Sequence, residues 1–163
     1  MYQDYPPEIG DYCHSMQKQY PYGKHSLVYN FRFLDYSILP GFLIAFNTTL
    51  TTSITTHHPR ENAATYRICN GCLEYKHKLM FTDTYKDCFI LIQNLYAGGK
   101  GCQLLLREHV VNKKISTECE RVFKKNCRGK KFNLYKDECN TYSALGRHMG
   151  MAVMGAAQSS FFL

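Results

Sequence analysis

One stretch, Tyr85 to Cys139, limits what this chain can fold into more than any other, because it sets five of the eight cysteines at the joints of a hairpin–helix–strand pattern. Lys86 to Gln93 is apolar and carries β-branched residues. Gly98-Gly99-Lys100-Gly101 follows as a turn, and Cys102 to Arg107 is a second apolar run. Two such runs around a Gly-rich loop form a hairpin. A short helix is predicted next. Thr117 is its expected cap, Glu120 three residues on completes a capping box, and Gly129 stands at the expected stop. Cys119, Val122, Phe123 and Asn126 fall on one helical face. A last strand, Lys131 to Tyr135, alternates polar and apolar residues before Cys139. Helix, hairpin and closing strand read as a disulfide-stapled unit.

Upstream the signals are short strands. Tyr12 to Tyr20 reads as one, ending at Pro21-Tyr22-Gly23. In Leu27 to Leu34 the residues Tyr29, Phe31 and Phe33 share a face opposite Asn30 and Arg32, the alternation of a half-buried strand. Gly41 to Phe46 and the Thr-rich run from Asn47 are two more. Ala63 to Cys69 and Leu73 to Thr82 flank Asn70-Gly71, a strong hairpin signal. On the second of these, Tyr75, His77, Leu79 and Phe81 are expected on one face. The total is about eight strands at near-regular spacing, which argues for a barrel or sandwich. No internal repeat is visible.

At 163 residues the chain is one domain's worth. Its 13 Tyr and 10 Phe suit strands and a pocket whose walls are apolar yet able to hydrogen-bond. The net charge of +7 does not point to nucleic acid, because the one dense run, Lys124 to Lys131, straddles a helix end and reads as a solvated face and cap. Eight cysteines favour an oxidising compartment. The N-terminus shows neither a positive nor an apolar signal region, so secretion requires a signal peptide not present in this chain. No run is long enough to span a membrane as a helix.

The order aromatic-x-x-Cys-x-x-Leu, Gly-rich turn, Cys-x-Leu, Cys-x-x-x-Phe-x-x-x-Cys and Tyr-x-x-x-Cys resembles the tick salivary lipocalins, the histamine-binding protein family. The matching residues are Tyr85, Cys88, Leu91, Cys102, Leu104, Cys119, Phe123, Cys127, Tyr135 and Cys139, and the resemblance reaches upstream to Cys13. It implies an all-β, lipocalin-like antiparallel barrel with a short C-terminal helix on its outside and a truncated first strand. It also implies a barrel domain over residues 1–139, followed by an unmatched tail over 140–163 with nothing in it expected to pair in the sheet. The pairing it implies is Cys13 with Cys139, Cys88 with Cys127, and Cys102 with Cys119.

The resemblance further implies a secreted, monomeric protein that sequesters a small host mediator, a biogenic amine such as histamine or serotonin or a lipid mediator, to evade host defence. The alternative is the same barrel without a cavity, binding a host protein such as a complement component. Ligand positions carry over to Tyr2 and Asp4 in Tyr-Gln-Asp-Tyr-Pro, and to Tyr66 after the Arg60-Glu61-Asn62-Ala63 turn. They also carry over to Gln103, which stands where amine binders carry a Glu; the Trp that follows there is Leu105. A buried ammonium needs a carboxylate to offset its desolvation, so these departures favour an uncharged or anionic ligand. His77, on the expected inner face, is a fifth candidate, against its reading as a satisfied core histidine.

Other chemistry is thin. Cys69 and Cys72 read as two extra cysteines at a hairpin turn, since no second Cys-x-x-Cys completes a zinc site and no βαβ context supports a redox role. Metal and cofactor are not expected. Neither is enzyme activity: nucleophile elbow, zinc-protease and phosphate-loop motifs are all missing, and Gly98 to Gly101 leads into a strand. Asn47-Thr48-Thr49 is a glycosylation sequon that matters only in a secreted chain.

Overall fold

A computed structural model describes residues 2–3, 12–34, 42–67, 74–95 and 98–146, with side chains for 12–34, 42–67, 74–95 and 98–142. The strands are β1 (Tyr2–Gln3), β2 (Ser15–Pro21), β3 (Ser26–Leu34), β4 (Phe42–Ser53), β5 (Ala63–Arg67), β6 (Glu74–Thr82), β7 (Cys88–Asn94) and β8 (Lys100–Leu106). Then come the helix α1 (Thr117–Asn126), β9 (Phe132–Asn133) and β10 (Ser143–Gly146). The sheet runs β2-β3-β4-β5-β6-β7-β8-β1-β9, with β10 added to β4. Strands β2 to β8 form an antiparallel meander curled into a half-barrel, the lipocalin-like all-β architecture expected.

The two ends of the curl approach one another. The Cys13 backbone N–H donates to the Leu134 carbonyl at 2.9 Å, and the Cys13–Cys139 disulfide joins the same two regions. Cys13 packs there with Leu34 and Leu43. The terminal strand β1 is two residues among those described; it sits between β8 and β9, with Tyr2 opposite Leu104 and Gln3 opposite Gln103.

Alternation sorts the side chains. Met16, Tyr29, Phe31, Leu50, Ala64 and Tyr66 pack inside, and Phe89, Leu91 and Leu105 continue that interior. The opposite faces of β7 and β8 carry Cys88, Ile90, Cys102 and Leu104, which pack under Cys119, Phe123 and Cys127 of the helix segment. Both faces of β7 are therefore covered, which is why its sequence is apolar almost throughout instead of alternating. The helix starts one residue before the expected position: Ser116, not Thr117, is the cap, its hydroxyl accepting from the Cys119 N–H at 3.3 Å.

Several expectations change. The two runs from Gly41 and from Asn47 are one continuous strand, β4. In β6 the register shifts between Leu79 and Phe81; Phe81 then pairs with Ile90 and packs under the helix, off the face that His77 shares with Leu79. A bulge inserts one residue and turns every later side chain over. Part of the 140–163 tail does pair: Ser143 to Gly146 lies parallel to Phe42 to Ala45 of β4, and Tyr142 packs with Cys13, Leu34 and Leu43. Those short polar and small residues had no strand pattern; the free edge of β4 supplies their hydrogen bonds.

The disulfide partners expected on α1 are exchanged. Cys88 pairs with Cys119 and Cys102 with Cys127, with Cα separations of 6.6 and 5.8 Å. The register explains it. Leu106 lies opposite Cys88 and Cys102 opposite Ile92, so the chain leaves β8 at the Cys88 end of the hairpin. The helix begins near that end and runs back along the sheet. Eight residues of helix advance ~12 Å, and four residues of strand ~13 Å. Cys127 thus arrives at Cys102. Cys69, Cys72 and Asn70-Gly71 lie outside the described residues, although the β5–β6 pairing on either side, Arg67 opposite Glu74, is that of a hairpin.

Candidate functional site

The inner faces of β2 to β8 enclose a narrow void. Its wall is mostly apolar, from Met16, Leu50, Ala64, Phe89, Leu91 and Leu105, and its polar groups come from His14, Tyr29, Tyr66, His77 and Gln103. Its volume is about 30 Å³. On that measure a water needs roughly 10–15 Å³, so the void holds water and is closed to a larger guest as it stands.

His77 is the most constrained polar group in it. It is 3% exposed and faces Gln93 across the β6–β7 pair, and the Gln93 side chain hydrogen-bonds its ring. Its Nε2, fully buried, has no partner. Burial, reinforced by the neighbouring His14 and opposed by the Gln93 bond, pushes its pKa down to about 4. Burial lowers His14 to about 4 as well, and its ring stacks on Phe31 with centroids 5.5 Å apart. Both imidazoles are neutral at pH 7. A neutral ring with an unpartnered, buried Nε2 keeps one hydrogen-bonding group unused beside the void.

Tyr66 joins the aromatic wall. It stacks on Tyr75 and on His77, both with centroids 5.6 Å apart, and tilts against Phe31 at 4.7 Å. It also lines a second, open recess of about 600 Å³, shared with Tyr20, Tyr22, Phe46, Thr48, Thr49 and Thr51. That recess exists because β4 changes partner. Residues 42–45 pair with β10 and residues 51–53 with β5, so among the described residues 46–50 have no strand partner on that side. The Thr48 hydroxyl bridges the gap to the Arg67 carbonyl at 2.7 Å. Among the described residues, Tyr66 alone lines both spaces.

Of the residues expected from sequence, Tyr66, His77 and Gln103 meet around the void. Tyr2 lies on the strand beside Gln103, but its side chain, like the whole of Asp4, lies outside what is described. Asn47 is on the rim of the recess and exposed, its Oδ1 accepting from Asn30 Nδ2 at 2.9 Å. His14 and Gln93 were missed. His14 is two residues before Met16 and shares its face, so alternation carried back past the strand start finds it. Gln93 is polar at the end of an apolar strand and gives no such signal. Among the described residues no acid lines the void, and no three His, Cys, Asp or Glu side chains gather as for a metal.

A curled antiparallel sheet with an outer helix, closed around an apolar interior with a few convergent polar groups, defines a small-ligand-binding barrel of the lipocalin type. The sequence model of the tick histamine binding protein family matches residues 11–141, and the chain belongs to that family. A search of curated proteins found no match.

Proposed function

We propose that this is a secreted salivary binding protein that captures a small host mediator inside the barrel, with Tyr66 as the movable wall between the open recess and the void. The observation carrying this reading is the unpartnered Nε2 of His77, buried in an apolar chamber beside Gln103. A buried polar atom without a partner costs roughly 1–3 kcal/mol, and a bound ligand that hydrogen-bonds to it recovers that cost. With no carboxylate on the described wall, the favoured guest is uncharged or anionic, such as an oxidised lipid mediator, and histamine binds weakly. Three disulfides fit an extracellular setting, and glycosylation at the exposed Asn47 belongs to the same reading. Capture without chemistry is the mechanism. The recess admits the guest, Tyr66 swings from its stack, and the void enlarges as it fills.

Calorimetric titration with histamine, serotonin and a hydroxylated fatty acid tests this. The fatty acid should bind and histamine should not, while Gln103→Glu should strengthen histamine by about 1–3 kcal/mol. A Gln103→Glu variant that gains nothing means that this side chain does not meet the ligand. The small size of the void favours a second reading, a barrel that binds a host protein such as a complement component through its loops. It becomes the better account if none of the small molecules binds.

A further inference from the structure

The chain's positive charge is concentrated in one segment, the outer helix and the residues flanking it. Residues 113–131 hold eight Lys and Arg against two Glu, a net +6 out of +7 for the whole chain. All eight cations are exposed. Cys119 and Phe123 turn inward from the helix, as does Cys127 just past its end, all fully or nearly buried. Arg121, Lys124 and Lys125 therefore project from the opposite side, since i, i+3 and i+4 form one stripe, and Arg128 continues it past the helix end. Disulfides at Cys119 and Cys127 fasten both ends of this helix to the sheet. The charges ride on a rigid platform.

Neighbouring segments add to the stripe. Lys131 Nζ lies 5.2 Å from the centre of the Phe123 ring, which brings it alongside the helix, and Lys130 Nζ lies 5.5 Å from that of Phe132. Glu120 pairs with Lys124 and also feels the charges of Lys114 and Lys131, so cations from three segments converge around one acid. Two carboxylates, Glu118 and Glu120, among eight cations leave a strong positive surplus.

We infer that the outer face of α1, with its flanking lysines, is a docking surface for a linear sulfated polysaccharide of the glycosaminoglycan type. The cations extend along the helix and beyond both its ends, so they match a polyanionic chain better than a single anion. A lipid surface is disfavoured because, among the described residues, the large exposed apolar side chains, Tyr20, Tyr22, Phe42, Ile54 and Tyr85, lie on other elements. Single-stranded nucleic acid is disfavoured because Phe123 is buried and Phe132 partly so, leaving no open ring between the cations for a base to stack on. This surface lies outside the barrel and operates whatever the interior holds.

The probe is heparin, and the protein is the full disulfide-bonded chain. Binding should weaken with salt, and a quadruple variant, R121Q/K124Q/K125Q/R128Q, should lower the magnitude of the log Kd against log salt slope by about 2–3. A control variant that removes four cations elsewhere, K18Q/K24Q/K76Q/K78Q, should keep most of the affinity. All eight substitutions are at exposed or half-exposed positions, and far-ultraviolet circular dichroism checks the fold. Equal losses in the two variants would mean that only net charge matters and would overturn the proposal. Binding to phosphatidylserine vesicles or oligonucleotide but not to heparin would overturn it too.

Discussion

Tyr66 and His77 lie face to face on adjacent strands, ring centroids 5.6 Å apart and planes within 10°. His77 lines the void, the Gln93 side chain hydrogen-bonds its ring, and the ring edge at Nε2 has no partner. If that edge exists to meet a ligand, removing it should separate binding from stability. His77→Leu removes the unpartnered nitrogen but also the Gln93 hydrogen bond, two opposing effects of about 1 kcal/mol each, so stability should change little. Ligand affinity should fall tenfold or more. Calorimetry for binding and thermal melting for stability check the two halves. A variant that melts far lower yet binds normally would make His77 a structural residue.

Acid should weaken the fold through the two imidazoles. His14 and His77 both sit at about 4 when folded, against an ordinary histidine value of 6.5. Between those values the unfolded chain binds more protons than the folded one. Stability is therefore fully present above pH 6.5 and falls as the pH drops toward 4, by up to ~1.4 kcal/mol per pH unit for each histidine. Below about 4 both states are protonated and this dependence ends. Urea midpoints from pH 7 to 4.5 should decline, and the decline should flatten in a His14→Gln/His77→Leu double variant.

Peptide mapping without reduction decides the pairing on the helix. Lys100 separates Cys88 from Cys102, and Lys124 and Lys125 separate Cys119 from Cys127, so trypsin resolves the alternatives. Linked peptides should join Cys88 to Cys119 and Cys102 to Cys127. Removing the second bridge as a Cys102→Ser/Cys127→Ser pair should cost about 2–4 kcal/mol. Recovery of a Cys88–Cys127 peptide would mean that the helix docks in the opposite direction.

The strand β10 makes the C-terminal segment part of the fold. A chain ending after Thr141 loses both β10 and Tyr142, uncovering the edge of β4 over Phe42 to Ala45. It should be less stable than a chain ending after Gly146 by about 1–3 kcal/mol. Equal melting temperatures would show that the parallel pairing contributes nothing.

What the amino-acid order settled by itself is most of the elements, β10 and the continuity of β4 excepted, and the reason is local. Strand alternation in Leu27 to Leu34, the capped run around Cys119 and Phe123, and the glycines at the β7–β8 turn, with φ of 85° and 87° at Gly98 and Gly99, are each encoded within a few residues. The same locality placed His77 on the inner face, whereas Tyr66 and Gln103 were reached through the family resemblance. Tertiary structure decided what depends on distance along the sheet. The shift near Met80 turned Phe81 outward because pairing to β7 sets which residue is extra. The hairpin register brought Cys119 to Cys88 because it sets where the chain leaves β8. β4 took residues 143–146 as a partner because β5 pairs only with its far end. The closeness of His14 to His77 and the narrowness of the space between seven strands arise only when the sheet curls, since no short window of sequence records how far two inner faces stand apart.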